Sequence, residues 1–124
     1  MTDAPGPLDP DVVSLLEAAP GFVGRYLDLA QSADGDPGVA ATLTELADYV
    51  AGLVAEMEHF RPVLARCLAG VESVAVTSDD GAELVAWAFL DSFSPDDRRR
   101  VGGWLGPRTR ALLAEVDPGP DGSR

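Results

Sequence analysis

Between residues 39 and 60 the apolar side chains Val39, Leu43, Leu46, Val50, Leu53, Met57 and Phe60 recur in alternating steps of four and three. A repeat of about 3.5 residues marks an α-helix with one buried seam, because residues three and four apart stack on the same face. No other stretch of the chain restricts the fold so tightly. Ala40, Ala47 and Val54 flank the seam, so the apolar face is wider than a two-stranded zipper needs. It also lasts only about three heptads, short for a coiled coil. Residues 37–60 therefore read as the central helix of a bundle. Asp36-Pro37 would start it, with Asp at the N-cap and proline at the first helical position, where its missing N–H costs nothing. Pro62 would break it near 60–62.

The same punctuation recurs along the chain. Asp9-Pro10 opens a short helix carrying Val12, Leu15, Leu16 and Ala19, and Pro20-Gly21 closes it. A second helix sets Phe22, Val23, Tyr26, Leu27 and Ala30 on one side, before a loop from Ser32 to Gly38. After Pro62, the residues Val63, Leu64, Cys67 and Leu68 continue an apolar face to Gly70, which reads as a helix end. Ser94-Pro95-Asp96-Asp97 opens a helix with Arg98, Arg99, Arg100, Val101, Trp104 and Leu105. Gly106-Pro107 opens another, with Leu112, Leu113 and Val116 inside.

Residues 71–90 admit two readings. Asp80 and Glu83 fit a capping box before a helix reaching Phe93. Val74-Ala75-Val76, a turn at 78–81 and the run Leu84–Leu90 also fit a β-hairpin. An isolated hairpin is marginal, and no third strand is in evidence, so the helix is favoured. Being apolar nearly all round, it should be the most buried of the set. The expectation is a single all-α domain over 9–116, a bundle of five to seven helices, with flexible tails at 1–8 and 117–124. A chain of 124 residues suits one such core.

The inventory of reactive groups is thin. His59 is the only histidine. Glu56 and His59 make a Glu-x-x-His, the spacing of di-iron carboxylate bundles, but those sites need two such motifs and further acids. The helical period turns His59 away from the seam, and it reads as a surface residue. Cys67 is the only cysteine, so no disulfide forms within the chain, and it reads as a buried small side chain. There is no lysine, no glycine-rich phosphate loop and no Gly-x-Ser-x-Gly. Asp79-Asp80 and Asp96-Asp97 stand at helix starts, where acids suit the helix dipole. Trp87, Trp104, Phe89 and Phe93 read as core. No enzyme activity, metal or cofactor is expected.

Charge is the remaining signal. The net charge is −12, and it is uneven: residues 1–91 sum to −13 and residues 92–124 to +1. Such a field repels nucleic acid and attracts basic proteins. Arg98, Arg99, Arg100, Arg108 and Arg110 form a local basic cluster, expected to pair internally with the acidic helices. No apolar run approaches the roughly 18 residues needed to cross a bilayer, so no membrane contact is expected. The opening Met1-Thr2-Asp3-Ala4-Pro5 lacks the basic and apolar segments of a signal peptide, and a cytoplasmic location is expected.

The segment Glu83-Leu84-Val85-Ala86-Trp87-Ala88-Phe89-Leu90-Asp91-Ser92-Phe93, followed by Leu105-Gly106-Pro107-Arg108-Thr109-Arg110, resembles a family of short bacterial domains of uncharacterised role. In that family an apolar helix ends in Phe-Leu-Glu or a near variant, then a Leu-Gly-Pro element follows. This chain has Asp91 where Glu is more usual. The likeness spans roughly residues 40–115. It implies a small, acidic helical domain without catalytic residues, and some members accompany toxin-immunity gene clusters. The expected role is a non-enzymatic protein-binding domain, an immunity-like inhibitor or regulatory adaptor, covering a basic surface of another protein. Glu45, Asp48, Glu56 and Glu58, on the exposed side of the central helix, are the expected contact residues. The alternative is a structural module or homodimer subunit that uses Trp104, Leu105 or the end of the seam.

Overall fold

The structure, a computed structural model, describes residues 10–33, 37–56 and 58–116. Among these residues there are seven α-helices and no strand: α1 (Pro10–Ala18), α2 (Val23–Ala33), α3 (Val39–Val54), α4 (Arg61–Thr77), α5 (Asp79–Leu84), α6 (Pro95–Gly102) and α7 (Pro107–Val116). A short 3₁₀ turn, Pro20–Phe22, leads into α2. The all-α bundle expected from the sequence is thus the observed fold, and the hairpin reading of 71–90 falls away. No helix among the described residues is long and apolar enough to cross a membrane. The readings of Asp9 and Asp36 as caps, of Met57 in the seam and of the tails 1–8 and 117–124 lie outside the described residues.

One apolar cluster runs from Val12 on α1 to Leu112 on α7 and draws on every helix between. The seam of α3 supplies Leu43, Leu46, Val50 and Leu53, all buried, while Val39 and Phe60 are only partly covered. α1 lies along α4, α3 packs on the segment after α5, and α7 closes over α4 and that same segment. α2 is the most peripheral helix, resting mainly on α3. It buries Tyr26, next to Phe22 of the preceding turn, but leaves Leu27 facing solvent.

Several helix limits differ from those expected. The central helix spans 39–54 rather than 37–60. Its N-cap is Gly38, whose φ of 91° is open to glycine but rarely to other residues. Thr42 Oγ1 donates to the Gly38 carbonyl at 2.7 Å and braces this start. At the other end, proline at 62 lacks an N–H and crowds the carbonyl four residues back, so one helix cannot run through 58–62. The chain instead turns at 55–56 and 58–60, and Pro62 sits in the first turn of α4, with Arg61 as its first residue. α4 does not end at Gly70 but runs on to Thr77. Gly70 is there because α1 crosses so near: a Cβ on it would stand 2.5 Å from Ala18 Cβ. α2 reaches Ala33, shortening the expected loop.

The cap of α5 is Ser78, not Asp80. Ser78 Oγ accepts from the Gly81 amide at 2.9 Å, and Asp79 and Asp80 occupy the first turn. Past Leu84 the helix widens into a π turn over Val85–Phe89, then tightens to 3₁₀ over Leu90–Ser92. In the wide turn the Leu90 amide reaches the carbonyls of both Ala86 and Val85. The five-residue spacing sets Leu90 above Val85, so that Val85, Ala88, Phe89 and Leu90 all fall on the core side. The helix is therefore not buried all round: Glu83 and Trp87 are left facing out. The expected starts at Ser94-Pro95 and Gly106-Pro107 are present, and Ser94 Oγ accepts from the Asp97 amide at 3.2 Å.

Candidate functional site

The four acids expected to contact a partner do not share one helix face. Glu45 and Asp48 lie on α3 and turn towards α2, where Arg25 Nη1 donates to both, at 3.2 and 2.8 Å. Their charge raises the Arg25 pKa, the Asp48 hydrogen bond foremost, although burial works against it. Arg25 also lies 5.6 Å from the Tyr49 ring centroid. This corner is therefore partly neutralised within the molecule. Glu56 and Glu58 fall beyond the end of α3, in the turn to α4.

That turn opens a groove of about 580 Å³, lined by Val54, Ala55, Glu56, Glu58 and His59, with Arg100 of α6 also on its wall. Glu58 pairs with Arg61 at 3.0 Å, and the Arg61 guanidinium lies 5.8 Å from the Trp104 ring centroid. The His59 ring meets Phe60 edge-on, with centroids 4.7 Å apart. Glu56 and His59 are not on a helix, so the Glu-x-x-His spacing does not bring them onto one helical face. The His59 amide instead donates to the Glu56 carbonyl at 3.0 Å. Among the described residues no group of three or more His, Cys, Asp and Glu side chains is placed to hold a metal.

A second groove, of about 350 Å³, runs between α5 and α7. Asp79, Asp80, Glu83 and Glu115 line it, with Arg108 as the one cation among the described residues and Ala82, Ala86 and Leu112 as its apolar part. Helix-start geometry puts Asp79 and Asp80 there, and Glu83 follows one turn on. From the sequence, Asp79, Asp80 and Glu83 are explained by helix capping alone. Their convergence with Glu115, more than thirty residues away, depends on α7 folding back over the segment after α5.

The arginine cluster of the sequence is dispersed. Arg98 reaches the Leu90 carbonyl at 3.2 Å and Asp91 at 3.4 Å, joining α6 to the turn before it. Arg99 pairs with Asp96 on its own helix. Arg110 donates to the carbonyls of Leu105 at 3.0 Å and Gly103 at 3.5 Å. Arg100 and Arg108 face different grooves. Pairing is thus mostly local or to backbone, rather than to the acidic helices. Leu105 is buried, and Trp104 is half-buried beneath Arg61. Trp87, expected in the core, is 56 % exposed.

Glu72 on α4 is a site of another kind. Its carboxylate accepts from the Arg108 amide at 3.0 Å, the Thr109 amide at 2.9 Å and Thr109 Oγ1 at 2.7 Å. It thereby caps α7 from a different helix. Burial pushes its pKa up, but the Thr109 donors, the Arg108 amide and the Arg108 charge outweigh that and hold it below the ordinary glutamate value. The role is structural.

Cys67 is fully buried, and burial pushes its thiol up to about 11 despite the nearby charge of Arg66. In the folded protein a thiol reagent at pH 8 is expected to react at least about a hundredfold more slowly than with a free cysteine, because the thiolate is scarce and covered. In denaturant one thiol per chain should react at the ordinary rate. Fast native-state labelling would show that the α4 face opens. No family model, curated protein or solved structure matches this chain.

Proposed function

We propose that this is a non-enzymatic, acidic protein-binding domain that covers a basic surface of another protein, in the manner of an immunity-like inhibitor or a regulatory adaptor. The observation that carries this reading is the gathering of Asp79, Asp80, Glu83 and Glu115 around one groove with Arg108 as its only cation among the described residues. The net charge of −12 extends the same field over the molecule. A field of this sign speeds the approach of a basic protein and fixes its orientation. Inhibition would follow by occlusion, with no chemistry required of the domain. Glu56 and Glu58 line a separate groove, where Glu58 is paired with Arg61 and Arg100 shares the wall, so they add less. Glu45 and Asp48, already bonded to Arg25, contribute less.

The test begins with the purified domain as bait in native lysate at low salt, followed by titration of the isolated partner. A 1:1 complex that weakens at least tenfold between about 50 and 500 mM salt is expected, since exposed charges are screened over that range. Recovery of no protein partner at low salt, or an affinity indifferent to salt, would overturn the reading.

A further inference from the structure

We infer that the exposed face of α5 and its π turn is a docking surface for a basic amphipathic segment of another protein, with Trp87 as the apolar anchor. The inference rests on the acidic protein-binding reading and names the surface and the chemistry of the partner.

Trp87 stands apart among the aromatic side chains. Phe22, Phe89 and Phe93 are buried, and Trp104 is half-covered. Trp87 leaves more than half of its surface in water, although Ala86 and Ala88 on either side are at least partly covered. Four residues after Glu83, it falls on the same outward side of the helix, opposite Val85 and Phe89. The π turn adds Leu90 to the core face with Val85, Ala88 and Phe89, so the core is filled without the indole. The turn is also pinned. Its Ala88 carbonyl accepts from Ser92 Oγ at 2.7 Å and from Thr44 Oγ1 of α3 at 3.2 Å. The indole is therefore displayed on fixed backbone, which lowers the ordering cost of binding. Tryptophan is among the side chains enriched where interface energy concentrates.

The surroundings of Trp87 select the partner. Glu83 precedes it by one helical turn on the exposed side, and Asp79 and Asp80 lie one turn further back. Glu115 of α7 lines the same groove as Glu83. Val76, 61 % exposed, lies at the α4–α5 corner just before Asp79. An apolar anchor edged by carboxylates fits a segment with leucine-like side chains on one face and Lys or Arg on its flank. Those cations also suit the π face of the indole. Nucleic acid and anionic lipid carry the wrong sign for this edge.

The probe is a synthetic helical peptide of about 18 residues, built from Lys and Leu with the leucines on one face. Its control is a peptide of the same composition in scrambled order. Calorimetric titration of the full chain is expected to give saturable 1:1 binding of the amphipathic peptide, at least tenfold tighter than of the scrambled one. Trp87→Ala should weaken it at least tenfold, and Glu83→Gln about threefold. Leu27→Ala, equally exposed on α2, should change it less than twofold. In a Trp104→Phe background Trp87 is the only indole, and its emission should shift to the blue on binding. Equal affinity for the two peptides, or an undiminished Trp87→Ala, would overturn the inference. The two readings fail separately. A native partner lost with Asp80→Asn and Glu83→Gln but kept by Trp87→Ala would leave the acidic reading standing and remove this one.

Discussion

Replacing Glu72 by alanine is expected to lower the free energy of unfolding by about 2–3 kcal/mol, the sum of a lost helix cap and charge-assisted hydrogen bonds left unmade. For a domain of this size that is a fall in melting temperature of roughly 10 °C. The cause lies in Gly106. It stands just before Pro107 and accepts from the Arg110 amide at 2.9 Å, the N-cap position of α7, yet it has no side chain to meet the next free amides. Glu72 supplies the oxygens from α4 instead. Gly106 must be small for this to happen, because a Cβ there would lie 2.5–2.6 Å from Glu72 Cδ, Cγ and Oε1. Gly106→Ala should therefore eject the Glu72 side chain and cost nearly as much as Glu72→Ala. The double variant should fall short of the sum by at least about 1 kcal/mol, as coupled sites do. Denaturant midpoints measure all four chains. Strict additivity would show that the two residues act independently.

The same cap has a pH signature. The folded pKa of Glu72 is lowered, so in the window below its ordinary value the unfolded chain binds the proton more readily than the folded one. The stabilisation is fully present above about pH 4.3 and drains away as pH falls through the depressed folded value. The gap in stability between wild type and Glu72→Ala should accordingly be constant near neutrality and narrow below pH 4.

The parts of this fold that were legible in the sequence are those governed by neighbours. The period from Val39 to Leu53 fixed a buried helix face, and Ser94-Pro95 and Gly106-Pro107 announced helix starts, because seam and cap both act within a turn or two. The parts that were not legible depend on residues far apart in the chain. Nothing near Glu72 reveals that Arg108 and Thr109 will come to it. Nothing near Trp87 reveals that a π turn will bring Leu90 inward beside Val85, Ala88 and Phe89 and complete the core on the side away from the indole. The acidic groove has the same origin, since Glu115 joins Asp79, Asp80 and Glu83 only through the packing of α7. The period could also mislead. Phe60 keeps its place in the seam pattern and still packs partly on the core, yet the helix has ended at Val54 and the chain has turned between them.

Glycine shows the same limit in its sharpest form, and Gly70 allows a test by sign. In an exposed helix interior, Gly→Ala stabilises by about 1 kcal/mol through backbone entropy. Gly70 is interior to α4 but buried under α1, where Ala18 Cβ, the Ser14 carbonyl oxygen and Leu15 Cα are its nearest neighbours. An added methyl must push the two helices apart or bend one, and overpacking of that kind costs about 1–3 kcal/mol. Gly70→Ala should therefore destabilise by about 1–2 kcal/mol, with the sign opposite to helix propensity. Ala18→Gly removes the closest obstacle, 2.5 Å from the added Cβ, while Ser14 and Leu15 stand 3.7 and 3.9 Å away at ordinary contact. The double variant Ala18→Gly/Gly70→Ala should thus recover stability relative to Gly70→Ala alone, even though Ala18→Gly in the wild-type chain costs up to about 1 kcal/mol. Thermal and denaturant unfolding of the four chains decide it. A Gly70→Ala chain as stable as wild type or more so would mean that α1 and α4 do not meet this closely and that Gly70 is not required at their crossing.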